Sequence, residues 1–191
     1  IPSAFTPVSP NPDVVKELRD GYSERFIVGH VGALVDRHKG QRVLLEAARQ
    51  FQVTRPEVLF VFFGRGEDEQ ILRQESASLS NVLWMGFKPN IGDYLPMLDL
   101  FAFPSRNEGL GSVLLDVMNA KVPIIASDVG GIPDIVKHKK TGILVPPNNS
   151  EELVEGLEAL IKNEQLRSTL SFNAFKQLER FSPDAMMDAY L

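Results

Sequence analysis

A set of unbroken apolar runs, separated by helix-patterned segments, most constrains what this chain can fold into. Phe26-Ile-Val-Gly-His-Val31, Val58-Leu-Phe-Val-Phe-Phe63, Val82-Leu-Trp-Met85, Asp99-Leu-Phe-Ala-Phe103, Pro123-Ile-Ile-Ala126 and Gly142-Ile-Leu-Val145 are short and show no polar alternation. A strand that is apolar on successive residues is covered on both faces, the mark of a parallel sheet between helices. Helical spacing lies between the runs. Apolar residues fall at 43, 44, 47, 48 and 51, and Glu67–Ser76, Ile91–Met97 and residues 112–119 also read as helices. The expected fold is therefore α/β, a doubly wound Rossmann-like parallel sheet with helices on both faces. Ligands of such sheets bind outside the carboxyl ends of the strands. Lys39, Arg65, Lys88, Glu108 and the loop at 130–134 each follow a strand, so they are expected to converge there.

The segment from Pro104 to Met118 carries the clearest chemical signal. Glu108 precedes a Gly109-Leu-Gly111 turn, the turn feeds an apolar helix, and Asp116 follows eight residues after Glu108. Free amides and the positive end of a helix dipole make such a turn a place for an anion. A carboxylate beside that place suits neutral hydroxyls better than phosphate. Phosphate together with hydroxyls points to a nucleotide sugar. Ser112 and Asp116 share one helix face. The same pattern also serves an ordinary helix start, where acidic residues favour the dipole.

Lys39 ends a Gly32–Gly40 loop and can reach a phosphate as a mobile point charge, or stand solvated. Gly130-Gly-Ile-Pro-Asp134 reads as a tight turn into a short helix near Ile132, with turn chemistry and a ligand role both open. Gly29 with Gly32, and Gly64 with Gly66, lack the third glycine of the dinucleotide fingerprint, which disfavours an NAD enzyme. His30 falls in a strand, His38 in a charged loop and His138 in a basic turn, with no metal-ligand spacing among them. No serine sits in a nucleophile elbow.

Composition narrows the class. A net charge of -5 argues against general nucleic-acid binding, and no run approaches the roughly 18 apolar residues of a membrane span. The absence of cysteine fits a cytoplasmic protein. Pro2, Pro7, Pro10 and Pro12 mark residues 1–20 as a linker with a short helix at Pro12–Asp20, leaving 21–191 as the domain. The start at Ile1-Pro-Ser, without methionine, leads to the expectation of a piece of a longer chain. Ser150 reads as the cap of a helix at Glu151–Lys162, with helix continuing over Asn163–Arg180 and restarting at Ser182-Pro183.

Taken in order, Val31-Gly-Ala-Leu with Lys39-Gly40, Phe63-Gly-Arg-Gly66, Met85-Gly-Phe87, Phe103-Pro-Ser105, Asn107-Glu-Gly-Leu-Gly111, Ala126-Ser-Asp-Val-Gly-Gly-Ile-Pro133 and Thr141-Gly-Ile-Leu-Val-Pro146 resemble the C-terminal, donor-binding domain of retaining GT-B glycosyltransferases of the GT4 family, also called group 1. The resemblance runs from about residue 26 to the end. It implies that Glu108 contacts the donor sugar's hydroxyls, that Asp116 holds the ribose, and that the amides of Gly109, Leu110, Gly111, Ser112 and Val113 bind the diphosphate. It also implies a phosphate role for Lys39 beside Gly32 and a base contact along Phe87–Lys88. The implied catalytic pair is Glu108 and Lys39. The implied partners are a nucleoside diphosphate sugar and, through an acceptor domain outside this chain, an acceptor sugar or lipid-linked glycan. The family typically needs no metal or other cofactor.

Two departures stand out. The family commonly has arginine where this chain has Ala33, and glutamate where it has Asp116. Arg37 or Arg65 is expected to supply the missing positive charge. A non-catalytic or decayed nucleotide-sugar-binding module is the alternative reading. The fragment alone is expected to be inactive. For a longer protein, peripheral attachment at the inner membrane face stays open.

Overall fold

The structure is a computed structural model that describes residues 11–19 and 21–178. The expected restart at Ser182-Pro183 and the last residues of the expected 163–180 helix lie outside them, as do Pro2, Pro7 and Pro10.

The described residues form one six-stranded parallel sheet. Its strands are β1 Phe26–Val31, β2 Val58–Phe63, β3 Val82–Gly86, β4 Leu100–Phe103, β5 Ile124–Ser127 and β6 Ile143–Val145, in the order β3-β2-β1-β4-β5-β6. Helices α1 Pro12–Arg19, α2 Asp36–Lys39, α3 Gln41–Thr54, α4 Glu69–Glu75, α5 Ile91–Tyr94, α6 Val113–Asn119, α7 Ile132–Ile135, α8 Ser150–Lys162 and α9 Glu164–Gln177 connect or flank the strands.

The unbroken apolar strands have the expected cause. Ile27, Leu59, Val61, Phe63, Phe101 and Phe103 point to one face, where Val14 and Leu18 of α1, Tyr94 of α5, and Leu114, Val117 and Met118 of α6 meet them. Val28, Phe60, Phe62, Leu100 and Ala102 point to the other, under Leu44, Ala47, Ala48 and Phe51 of α3 and Leu153, Leu157 and Leu160 of α8. Alternate side chains thus enter two cores, and a polar residue on either face needs its hydrogen bonds met inside the protein, as those of His30 are.

Three details differ from the sequence reading. Residues 36–39 form a one-turn helix rather than plain loop, closed by Gly40 at φ 66°. The helix at 150 is capped by Asn149, whose side chain accepts the Glu152 amide, so Ser150 is the first helical residue rather than the cap. Helix does not continue through 163. Asn163 leaves helical geometry at φ -124°, ψ 89°, and its side chain caps a new helix by accepting the Leu166 amide at 2.9 Å. Asparagine competes well for backbone groups at both ends of a helix, and here it performs both tasks.

Candidate functional site

From β1 the chain moves outward to β2 and β3; it then returns to β4 on the other flank and continues to β5 and β6. The loops after β1 and β4 therefore part at one point and leave a crevice at the carboxyl edge. Lys39 comes from the first loop and Glu108 from the second. Their side chains form an ion pair across 69 positions of sequence, 22% and 11% exposed. Ser105 Oγ also donates to Glu108 at 3.3 Å, and the Lys39 ammonium lies 5.5 Å from the centre of the Phe103 ring.

A buried carboxylate fixes the two loops relative to each other. Asp36 accepts the Arg42 amide at 2.7 Å and the Arg42 and Arg106 guanidinium groups at 3.1 Å each. The amide of Asp36 donates to Asp68 at 2.7 Å, tying in the loop after β2. His38 O receives the amides of both Arg106 and Asn107. Beneath them lies a buried polar chain. His30 Nδ1 meets Ala102 O at 3.0 Å, so Nδ1 carries the proton and Nε2 is left as an acceptor for the Gln41 amide group at 3.3 Å. Gln41 also donates to Ala33 O at 2.8 Å. Burial pushes the His30 pKa down to about 4, so its ring is neutral.

The glycines hold these loops backbone to backbone. A Cβ on Gly40 would strike Pro104 O, one on Gly64 would strike Gly32 O, and ones on Gly130 and Gly131 would strike Glu108 O and Gly109 O. The Gly130-Gly131 turn therefore receives the Glu108 loop, and this contact accounts for both glycines. Gly109 differs, because nothing stands within 4 Å of where its Cβ would be.

The amides of Gly109, Leu110, Gly111, Ser112 and Val113 make no hydrogen bond within the described protein. Gly111 turns the chain at φ 64°, and Leu110 beside it is 65% exposed. Asp116 follows one turn into α6, where desolvation raises its carboxyl above the ordinary value.

A cleft of about 380 Å³ adjoins the crevice on the β1–β3 side, lined by Gly32, Ala33, Gly64, Arg65, Phe87 and Lys88 among others. Lys39 Cδ passes 3.7 Å from the Cβ position of Gly32, which joins the cleft to the ion pair. The Arg65 guanidinium lies 4.8 Å from the centre of the Phe87 ring, itself 57% exposed. Lys88 is held from behind. Glu17 of α1 binds its ammonium at 2.8 Å and the Tyr94 hydroxyl at 2.7 Å. Those bonds lower the Glu17 pKa and raise that of Lys88.

The structure thus brings together Gly32, Lys39, Glu108 and the 109–113 amides, and sets Arg65, Phe87 and Lys88 on the adjoining cleft. Arg37 stands apart, paired with Glu67 at 3.0 Å on the surface. Sequence reading missed Asp36, Gln41 and Glu17, and placed His30 in its strand without giving it a role. An apolar strand interrupted by His30 was the one visible sign of the buried chain.

The sequence profile of the family described as "Glycosyl transferases group 1" matches residues 14–177. The chain belongs to this family. This chain is 31% identical over 167 residues to alpha-D-kanosaminyltransferase of Streptomyces kanamyceticus, covering 83% of this chain and 42% of that protein. It superposes with a TM-score of 0.83 on Anabaena HepE crystallised with UDP-glucose, at 28% identity, covering 94% of this chain and 52% of that one. The C-terminal domain of a group 1 glycosyltransferase, LpcC of Francisella tularensis, crystallised by itself, shares the fold at 24% identity and a TM-score of 0.78, covering 92% of this chain and 94% of that one. The chain spans about half the length, or less, of the full-length relatives it matches. Among the described residues no helix is long and apolar enough to cross a membrane.

Proposed function

We propose that this domain is the nucleotide-sugar-binding half of a retaining glycosyltransferase. It would move a hexose-type sugar from a nucleoside diphosphate, UDP or GDP, to an acceptor sugar or lipid-linked glycan held by a second domain. The observation that carries the reading is the Lys39–Glu108 pair beside the undonated 109–113 amides at the strand-order switch. Glu108 neutralises Lys39 through one contact, and an ammonium has three N–H groups, so Lys39 keeps donors for a phosphate. Glu108 keeps acceptor capacity for sugar hydroxyls. As the bond from sugar to diphosphate breaks, negative charge grows on the leaving group, and Lys39 and the fixed amides hold it. Groups aimed in advance at developing charge are worth about 3–4 kcal/mol each. The reading calls for no metal or other cofactor. Gly109, with open space in place of a side chain, lets the ligand approach the backbone. Asp116, raised by desolvation yet reachable from solvent, is assigned to the ribose hydroxyls.

Calorimetric titration with UDP, GDP, ADP and NAD tests the reading. One nucleoside diphosphate is expected to bind, and Lys39→Ala to weaken it about tenfold or more. Equal affinity for NAD, or indifference to Lys39→Ala, would sink it. The domain alone is expected to show no sugar transfer, because the acceptor is held by the second domain. Turnover matching the full-length protein would contradict that division of labour.

A further inference from the structure

Among the described residues, five cations lie about the carboxyl ends of the strands, and four are already matched by carboxylates. Lys39 pairs with Glu108, Lys88 with Glu17, Arg37 with Glu67 and Arg106 with Asp36. Arg65 is the exception. Every other arginine whose side chain is described donates to a carboxylate or a carbonyl, whereas Arg65 makes one contact, with the face of Phe87. Among the described residues that line its cleft there is no carboxylate.

Its position is fixed on the side where this charge matters. The Leu34 amide donates to Arg65 O at 3.0 Å, and the preceding Gly64 abuts Gly32 O. Lys39 runs past the same Gly32 from the other flank. The two cations therefore bracket a residue with no side chain. A ligand carrying two or more negative charges would find the Lys39–Glu108 pair formally neutral. The compensating charge has to come from elsewhere in the cleft.

We propose that Arg65, held over Phe87, grips the diphosphate of the ligand from the side opposite Lys39; this rests on the nucleotide-sugar reading above. A guanidinium presents two parallel N–H groups that match two phosphate oxygens, and stacking on a ring orders its plane before the ligand arrives. The base is uncharged and gains from the flat apolar walls of the cleft rather than from this charge. Arg65 is accordingly a phosphate-binding residue, and Phe87 is its positioning residue.

The test titrates UDP, GDP and ADP, each alongside its own nucleoside, into the chain and its Arg65→Ala, Arg65→Lys, Phe87→Leu and Lys39→Ala variants. Arg65→Ala is expected to weaken the preferred diphosphate about tenfold or more while leaving its nucleoside within about twofold. Arg65→Lys restores part of the loss, since it keeps charge but not the fork. Phe87→Leu produces a smaller loss, again confined to the diphosphate. Arg65 is exposed, so the variants are expected to melt with the parent, which thermal unfolding checks. Equal losses for diphosphate and nucleoside would place Arg65 on the base and overturn the inference. Diphosphate binding that responds to Lys39→Ala but not to Arg65→Ala would overturn it alone. Absence of all nucleotide binding by the parent chain would remove the donor reading and this inference with it.

Discussion

The two walls of the crevice are built by different means. The Lys39 and Glu108 loops are joined by a close backbone contact at Gly40, by paired amides on His38 O and by the buried Asp36 carboxylate, and Gly130 and Gly131 lock the Glu108 loop to the loop after β5. The opposite wall has an exposed Phe87 and a half-buried Lys88, and Lys88 is held from behind by Glu17 and the Tyr94 ring. Backbone contacts without intervening side chains leave little room for adjustment. A wall tied by side-chain contacts rather than main-chain ones can yield. Lys39 and the Glu108-loop amides, expected to meet developing charge, thus sit on the stiff side, whereas Phe87–Lys88, expected to meet the base, forms the softer one, beside which Arg65 is held by its own backbone bond to Leu34. Electrostatic stabilisation needs donors that do not reorganise, whereas accommodating a flat base tolerates movement.

Three experiments would break or sharpen this contrast. The largest effect is expected from Gly130→Ala. A left-handed φ of 57° costs an L-residue about 1–2 kcal/mol, and overpacking against Glu108 O adds about 1–3 kcal/mol. Urea unfolding should show a loss of about 2–5 kcal/mol, while Gly109→Ala, in open space, should stay within about 0.5 kcal/mol. Similar losses for both would mean that the loops are not held where the glycines meet.

The next effect is a pH dependence. His30 stays neutral in the folded protein down to about 4, whereas an unfolded chain protonates it near 6.5. The unfolded state binds the extra proton between these values, so stability present above about pH 6.5 is lost as pH falls towards 4, by about 3 kcal/mol. His30→Asn should be less stable at neutral pH, with a flatter stability profile across that window. An unchanged slope would take His30 out of the buried chain that supports Ala33.

Glu17→Gln should have the smallest effect. Its pair with Lys88 joins a half-buried ammonium to an exposed carboxylate near the surface and is worth about 1 kcal/mol. The soft-wall picture expects a small change in unfolding free energy together with faster hydrogen exchange at Phe87 and Lys88. Unaltered exchange there would mean that the wall is held by packing rather than by α1.

The sheet could be read from the sequence because each strand is a short apolar run, rich in β-branched and aromatic residues and alternating with helix-patterned segments, which together favour strands covered on two faces over buried helix. β1 and β2 fall at the expected residues, 26–31 and 58–63. Helix α2 was invisible, since Asp36-Arg-His-Lys39 has no apolar period and is held by tertiary bonds to Asp68 and Arg42. Asn149 and Ser150 are both good caps, and sequence does not decide between neighbours. The residue types of the site were legible in the motifs. The meeting of Lys39 with Glu108 depends on strand order, which no local pattern encodes. Gly130 and Gly131 were legible as a turn, but their partner in the Glu108 loop was not.

The interlocked glycines also bear on how such a domain could be rebuilt. Gly40 meets the loop after β4, Gly130 and Gly131 meet that same loop from β5, and Gly64 meets the loop after β1. The connections behave like fitted timbers, each cut to its neighbour's main chain. Grafting the 104–112 segment of a relative by itself would replace the surface that receives residues 130 and 131. An exchange of donor preference between relatives is therefore expected to succeed when the 104–112 and 128–134 segments travel together, and to yield poorly folded hybrids when either travels alone.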